Sequence, residues 1–227
     1  MSELTESIRS KGFWRIDVRP TDYVETRIPN AALKPILDRA VVRLRGWDFP
    51  HLDRQGRVSR GNHWLGGETD WSYYRESWRF YQSGQFVYLI GMHEDWVESF
   101  EGLALPRFPV GFKGIGVGDA LFRITETYEF AARLAVSEAG GEQMRIGIEL
   151  RNVARRRLYV DDPMRMPMDN DYSFDEPSLT LSATVSRADL AGRSRQLALD
   201  ATLDFFGRFG WHPLRELIQG QQDQLRW

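Results

Sequence analysis

Between Trp71 and Tyr88 the chain sets Trp71, Tyr73, Tyr74, Trp78, Phe80, Tyr81, Phe86 and Tyr88 around Arg75 and Arg79. Ser83-Gly84 interrupts the run with a two-residue turn signal, which predicts a hairpin of Ser72 to Gln82 and Gln85 to His93. With that turn, Phe80 faces Val87 and Trp78 faces Leu89 on an apolar structural face. Arg79 and Tyr88, Tyr81 and Phe86, and Ser77 and Ile90 fall on the opposite face. A slip of one residue exchanges the two faces. A sheet with apolar side chains on both faces must be covered twice or must bind something, because a large exposed apolar patch is costly.

The rest of the composition narrows what such a hairpin can belong to. The 227 residues are 42% hydrophobic and 13% aromatic, enough for the core of one α+β domain over 1–227. A net charge of −2 gives no global field for nucleic acid or membrane. The absence of cysteine excludes disulfides, thiol nucleophiles and thiolate metal sites. No apolar run is long enough to span a bilayer, and residues 1–11 are polar and expected to be flexible, so a cytoplasmic protein is expected. All but Lys11, Lys34 and Lys113 of the 30 basic residues are Arg. GC-rich codon usage accounts for that bias before any binding role does.

Along the chain, Trp14, Ile16 and Val18 alternate as a short strand, and Asn30 caps a helix through Leu33, Leu37, Ala40, Val41 and Leu44. A further strand is expected around Arg57 to Leu65. Helical spacing of Leu121, Ile124, Tyr128, Ala132 and Ala135 predicts a helix from about Asp119 to Ser137. Gln143 to Leu150, Arg156 to Val160 and Ser178 to Ser186 read as strands, with a long acidic loop over 161–177. Ser186 and Asp189 resemble a capping box that opens a helix to about Phe206. Pro213 begins a short last helix, Leu214 to Ile218. Hairpins among separate helices predict an α+β fold, with a mainly antiparallel sheet against about four helices.

The first candidate binding face is Arg75, Arg79, Tyr81, Phe86 and Tyr88, which offers stacking and guanidinium contacts to a planar ligand, a partner or a nucleic acid. Coverage of both faces by helices is the simpler expectation. The break Arg45-Gly46-Trp47-Asp48-Phe49-Pro50-His51 supplies a second set: Arg45, Trp47, Asp48 and His51. The third is the loop Gly111 to Gly118, where Lys113, Gly114 and Gly116 precede a helix and can cradle phosphate. It lacks the Gly-Lys-Ser/Thr of a P-loop, and Asp119 opposes an anion.

Asp169 to Glu176 offers oxygens at calcium-loop spacing, but Phe174 and Thr180 occupy its two most diagnostic positions, so a solvated acidic loop is expected. His51, His63, His93 and His212 have no metal-ligand spacing. Arg151, Arg155, Arg156 and Arg157 are expected to pair with the Asp161-Asp162 turn and the acidic loop. No metal and no cofactor is expected.

Leu44-Arg45-Gly46-Trp47-Asp48-Phe49-Pro50-His51 and Glu76-Ser77-Trp78-Arg79-Phe80-Tyr81-Gln82-Ser83-Gly84-Gln85-Phe86 together resemble a bacterial module associated with AlbA- and Schlafen-type nucleic-acid-binding proteins. The resemblance covers residues 44–93. It implies a regulatory or defence-related context, no particular activity, and no site to carry over.

With no complete catalytic signature, the expected function is a non-catalytic binding or sensor module for a partner protein, an oligomer mate or a small ligand. Single-stranded nucleic-acid binding through the Arg–aromatic face is the alternative. An enzyme with a histidine and carboxylate site near His51, His63 or His93 is a third.

Overall fold

The structure is a computed structural model that describes residues 2–52, 58–71, 74–96, 112–162 and 164–225. Seven strands form the main sheet: β1 (Phe13–Pro20), β2 (Val58–Arg60), β3 (Trp64–Trp71), β4 (Tyr74–Tyr81), β5 (Phe86–Gly91), β7 (Gln143–Arg151) and β10 (Ser178–Ser186). Their order is β10-β7-β1-β5-β4-β3-β2, and every pairing is antiparallel. A small second sheet joins β6 (Gly114–Gly116), β8 (Arg156–Tyr159) and β9 (Ser173–Phe174), with β6 and β8 parallel. The α-helices are α1 (Glu3–Arg9), α2 (Leu33–Ala40), α3 (Val117–Ala135), α4 (Arg187–Arg208) and α5 (Arg215–Gln222). The fold is α+β, with five helices among the described residues.

The inner face of the main sheet is apolar because each strand alternates. Trp14, Ile16 and Val18 of β1 lie beside Ile146, Ile148 and Leu150 of β7 and beside Phe86, Tyr88 and Ile90 of β5. Helix α3 covers this face and packs against α2, α4 and α5 as well. It is therefore buried well beyond its apolar stripe, and even Arg123, Thr125, Glu126 and Thr127 are inside. The threonines satisfy their hydroxyls on the carbonyls one turn back, and Thr125 also accepts from Gln222 Nε2 at 3.1 Å. The main core draws residues from Trp14 to Leu225.

The central hairpin differs from its expected pairing by one residue. Phe80 pairs with Phe86, Trp78 with Tyr88, Arg79 with Val87 and Ser77 with Leu89. The loop has three residues, Gln82-Ser83-Gly84, in place of two. Tyr81 N–H donates to Gln85 O at 2.8 Å, and Gly84 sits at φ +85°. This is the three-residue loop in which a left-handed glycine forms a bulge. Trp78, Phe80, Phe86 and Tyr88 consequently share the inner face, and all four are buried. Burial of a side chain such as Phe86 contributes about 2–3 kcal/mol. Arg75, Ser77, Arg79 and Tyr81 share the outer face.

Other expectations change at the edges of elements. Residues 3–9 form α1, contrary to the expected flexible N-terminus. Ser2 accepts from Thr5 N–H, and Ile8 packs with Phe13 and Leu89 on the outer face of the sheet. Asn30 lies in a short 3-10 turn and donates to the carbonyls of Gly61 and Asn62 instead of capping α2, which ends at Ala40. The single strand expected around Arg57 to Leu65 is instead two, β2 and the start of β3, which pair antiparallel about a turn where Gly61 N–H donates to the Trp64 carbonyl at 2.9 Å. Arg57 lies outside the described residues, and β3 runs on to Trp71. A Cβ at Gly67 would lie 2.6 Å from the Trp78 ring, so glycine is what lets this indole lie flat on β3. Ser186 does cap α4, accepting from Asp189 N–H at 3.0 Å. The last helix begins at Arg215 and continues to Gln222, beyond the expected Leu214 to Ile218, and its N-cap is Leu214.

Candidate functional site

The segment after α2 folds back on itself between Val42 and Phe49, whose backbones exchange hydrogen bonds of 3.0 and 2.8 Å. Gly46 turns the tip at φ +89°. This tight loop aims Arg45 inward and leaves Trp47 at the surface. Phe49 anchors it against Tyr88 and Phe130, and Trp78 Nε1 donates to the His51 carbonyl at 3.0 Å. Asp48 is buried and accepts from Arg43 at 2.5 Å.

Arg45 reaches α3 with its whole guanidinium. Nε and Nη2 donate to the two oxygens of Glu126 at 3.0 and 2.7 Å, and Nη1 donates to Asp119 at 2.9 Å. Arg123 donates to Asp119 as well, at 2.9 Å. Asp119, Arg123 and Glu126 fall at i, i+4 and i+7, so they line one face of α3. Two arginines and two carboxylates thus neutralise one another in a desolvated site. Burial would raise the Asp119 carboxyl, but Arg123, Arg45 and His93 reverse that and hold it below the usual carboxylate range.

Glu76 is the surplus carboxyl. It stands on the inner face of β4 between Tyr74 and Trp78, and the Tyr88 hydroxyl donates to it. Burial raises it above the ordinary glutamate value, against the opposing hydrogen bond from Tyr88 and the fields of Arg123, His51 and Arg45. Glu94 is a second raised carboxyl, for the same primary reason of burial. It accepts from the Tyr159 hydroxyl at 3.1 Å, and His93 Nε2 lies 3.6 Å away.

The outer rim of this interior is aromatic. Tyr74 lies 6.2 Å from Trp47 and 6.3 Å from Trp71, centroid to centroid, and Arg45 stacks on the Trp47 ring at 5.0 Å. Trp71 is 71% exposed and Trp47 45% exposed. Solvent-facing rings therefore lead directly to Arg45 and then to the charged interior.

The candidate residues read from the sequence separate into three groups. Arg45, Trp47 and Tyr88 belong to this site, with Asp48 and His51 fixing its loop. Phe86 is core. Arg75, Arg79 and Tyr81 point to the opposite side of the sheet, so the expected Arg–aromatic face does not exist as one surface. Arg75 stacks on Trp96 at 3.8 Å and donates to Ser7 of α1, while Arg79 is exposed and stacks on Trp64 at 4.5 Å. Sequence reading overlooked Glu76, Asp119, Arg123 and Glu126. The signals were present: Glu76 alternates with aromatics on one strand face, and the charged stripe interrupts an otherwise apolar helix.

The glycine loop is not open to phosphate. Gly114 and Gly116 belong to β6, and the Lys113 carbonyl accepts from Arg157 N–H. Asp161 takes the anion position at the start of α3, accepting from Gly118 and Asp119 N–H at 2.8 Å each. A Cβ at Gly116 would lie 2.6 Å from that carboxylate. Gly111 lies outside the described residues. Arg156 is fully buried and pairs with Asp95, and Arg157 pairs with Asp171 of the acidic loop at 3.0 Å. His63 is held by Gln82 at 3.0 Å, away from His51 and His93, which add their fields at Glu76 and Asp119. Among the described residues no group of three or more His, Asp or Glu could hold a metal ion, and no helix is long and apolar enough to cross a membrane. Comparison with family models, with curated proteins and with solved structures returns no match.

Proposed function

We propose that the chain is a non-catalytic binding or sensor module, and that it recognises a planar or cationic group of a small ligand or partner at the Trp47–Tyr74–Trp71 rim. The observation that carries this reading is the exposed pair of tryptophans on either side of Tyr74, Trp71 stacked on it and Trp47 tilted against it, with Glu76 two residues along the same strand face. Aromatic faces attract cations and planar rings. Arg45 and Arg123 are already balanced by Asp119 and Glu126, so Glu76, which accepts from the Tyr88 hydroxyl, is the carboxyl of this strand face left for a bound cation. The test is a tryptophan-fluorescence titration of the full chain with agmatine, arginine amide and adenosine. Trp47→Ala and Trp71→Ala should each weaken the response several-fold. No response to any probe, or responses unchanged in both variants, would count against the reading.

A second reading, single-stranded nucleic-acid binding, draws on the outer face of the main sheet. Arg15, Arg19, Arg79, Arg145 and Arg151 lie there against Asp17 and Glu149, beside Trp64 and Tyr81. The resemblance of residues 44–93 to a module of nucleic-acid-binding proteins agrees with it. Anisotropy of labelled oligo-dT and oligo-rU should then rise on binding, fall steeply with salt, and weaken with Arg79→Ala and Arg145→Ala.

A further inference from the structure

We infer a separate protein-docking groove between the acidic loop and α5, shaped for a basic amphipathic helix. The groove has a volume of about 530 Å³, and Val117, Phe122, Met168, Trp211 and Leu217 give it an apolar floor. None of its lining residues belongs to the Trp47–Tyr74–Trp71 rim, although Arg45 lies over both Phe122 of the floor and Trp47.

Its rim carries exposed apolar side chains. Among the described residues nine large hydrophobic side chains stand exposed, and two of them, Met166 and Leu217, line this groove. Met166 (86%) and Leu217 (51%) line the groove, while Met164 (92%) and Leu214 (75%) are beside them in the chain. Leu214, Leu217 and Gln221 recur at helical spacing, so one side of α5 is turned toward the opening. Methionine suits such a wall, since its unbranched thioether adapts to different side chains.

The charge around the groove selects the partner. Residues 161–177 hold Asp161, Asp162, Asp169, Asp171, Asp175 and Glu176 against Arg165 alone. Asp161 is engaged at the start of α3, Asp162 with Arg165 at 3.1 Å, and Asp171 with Arg157. Asp161, Asp162 and Asp169 line the groove against Arg165 alone, and among the described ion pairs Asp169 has no basic partner. An apolar trough with an acidic margin complements a helix that presents leucine-like anchors on one face and lysines or arginines beside them. An anionic vesicle or a nucleic acid would be repelled.

The test uses the full chain and a fluorescein-labelled helical peptide of leucines and lysines at amphipathic spacing, followed by anisotropy. Binding is expected, weakened by added salt and lost when glutamates replace the lysines. The double variant Met166→Ser with Leu217→Ser should weaken it at least tenfold while its circular dichroism and melting temperature stay those of the parent, because both side chains are exposed. Arg79→Ala, on the outer face of the sheet, should bind the peptide normally. Absence of binding, equal binding of the glutamate peptide, or undiminished binding by the double variant overturns the inference. A concentration-dependent dimer that the double variant abolishes also overturns it, since a second copy would then fill the groove. Trp47→Ala and Trp71→Ala should leave peptide binding intact, which separates this outcome from that of the aromatic rim.

Discussion

The Tyr88 hydroxyl donates to the Glu76 carboxyl diagonally across β4 and β5. Burial is the main reason that Glu76 holds its proton above the ordinary range. A carboxyl whose folded value is raised binds its proton more tightly in the native state. Its contribution to stability is therefore complete below the unfolded value of about 4.3 and is lost as pH rises through the folded value. Glu76→Gln keeps an acceptor for Tyr88 and removes the ionisation. The variant should match the parent in melting temperature near pH 4 and exceed it progressively toward pH 8. A difference that stays constant over this range would show that Glu76 is not the titrating group.

Asp119 obeys the opposite sign. Its value is lowered, so its stabilisation is present above the unfolded value and is lost as pH falls through the folded one. Asp119→Asn leaves Arg123 without its carboxylate and removes one of the two partners of Arg45. The expected cost in urea unfolding at pH 7 is about 3 kcal/mol, and it should shrink in acid. Adding Arg123→Met to Asp119→Asn should recover part of that loss. A cost below about 1 kcal/mol would place the pair in the class of exposed ion pairs.

Arg156 ties three segments together from a fully buried position. It donates to Asp95, to the Gly114 carbonyl at 3.2 Å and to the Asn152 carbonyl at 3.4 Å. Arg156→Ala should cost about 3 kcal/mol, because it removes the basic partner of Asp95 and the donor to the buried Gly114 carbonyl. Arg156→Lys should rescue little, since an ammonium lacks the planar fork that reaches these acceptors together. Chemical denaturation of both variants measures the effect.

Gly46 and Gly84 provide a controlled comparison. Both lie at positive φ, +89° and +85°. A Cβ at Gly46 meets nothing within 4 Å, whereas one at Gly84 would lie 2.3 Å from the Ala139 carbonyl oxygen. Gly46→Ala should cost only the left-handed strain, about 1–2 kcal/mol. Gly84→Ala adds a backbone collision and should cost clearly more in thermal unfolding.

Elements whose pattern repeats over many residues were legible without the fold. The period of α3, the alternation of β10 and the capping of α4 by Ser186 each rest on local chemistry, and each stands where the sequence predicts. Glu76 was legible in the same way, since residues 74, 76, 78 and 80 share a face in every register. The expected acidic loop over 161–177 is interrupted by β9, whose pairing with β8 is a tertiary contact, and the groove the loop helps to wall depends on α5, which lies far along the chain.

The amino-acid sequence by itself determined an α+β domain, a hairpin of aromatic strands and a carboxylate among those aromatics. Tertiary structure decided which side of β5 faces inward. That choice turns on one residue of loop length, two against three, and the side-chain period of a strand is two, so the difference moves Phe86 and Tyr88 from one face to the other. Local propensity barely separates the two loops. Packing does separate them, because only the three-residue loop sets Phe86 and Tyr88 beside Phe49 and Phe130 while leaving Arg79 in solvent. Pairing of Arg45 with Asp119 and Glu126 is likewise a tertiary event, since 74 and 81 positions of chain separate the partners.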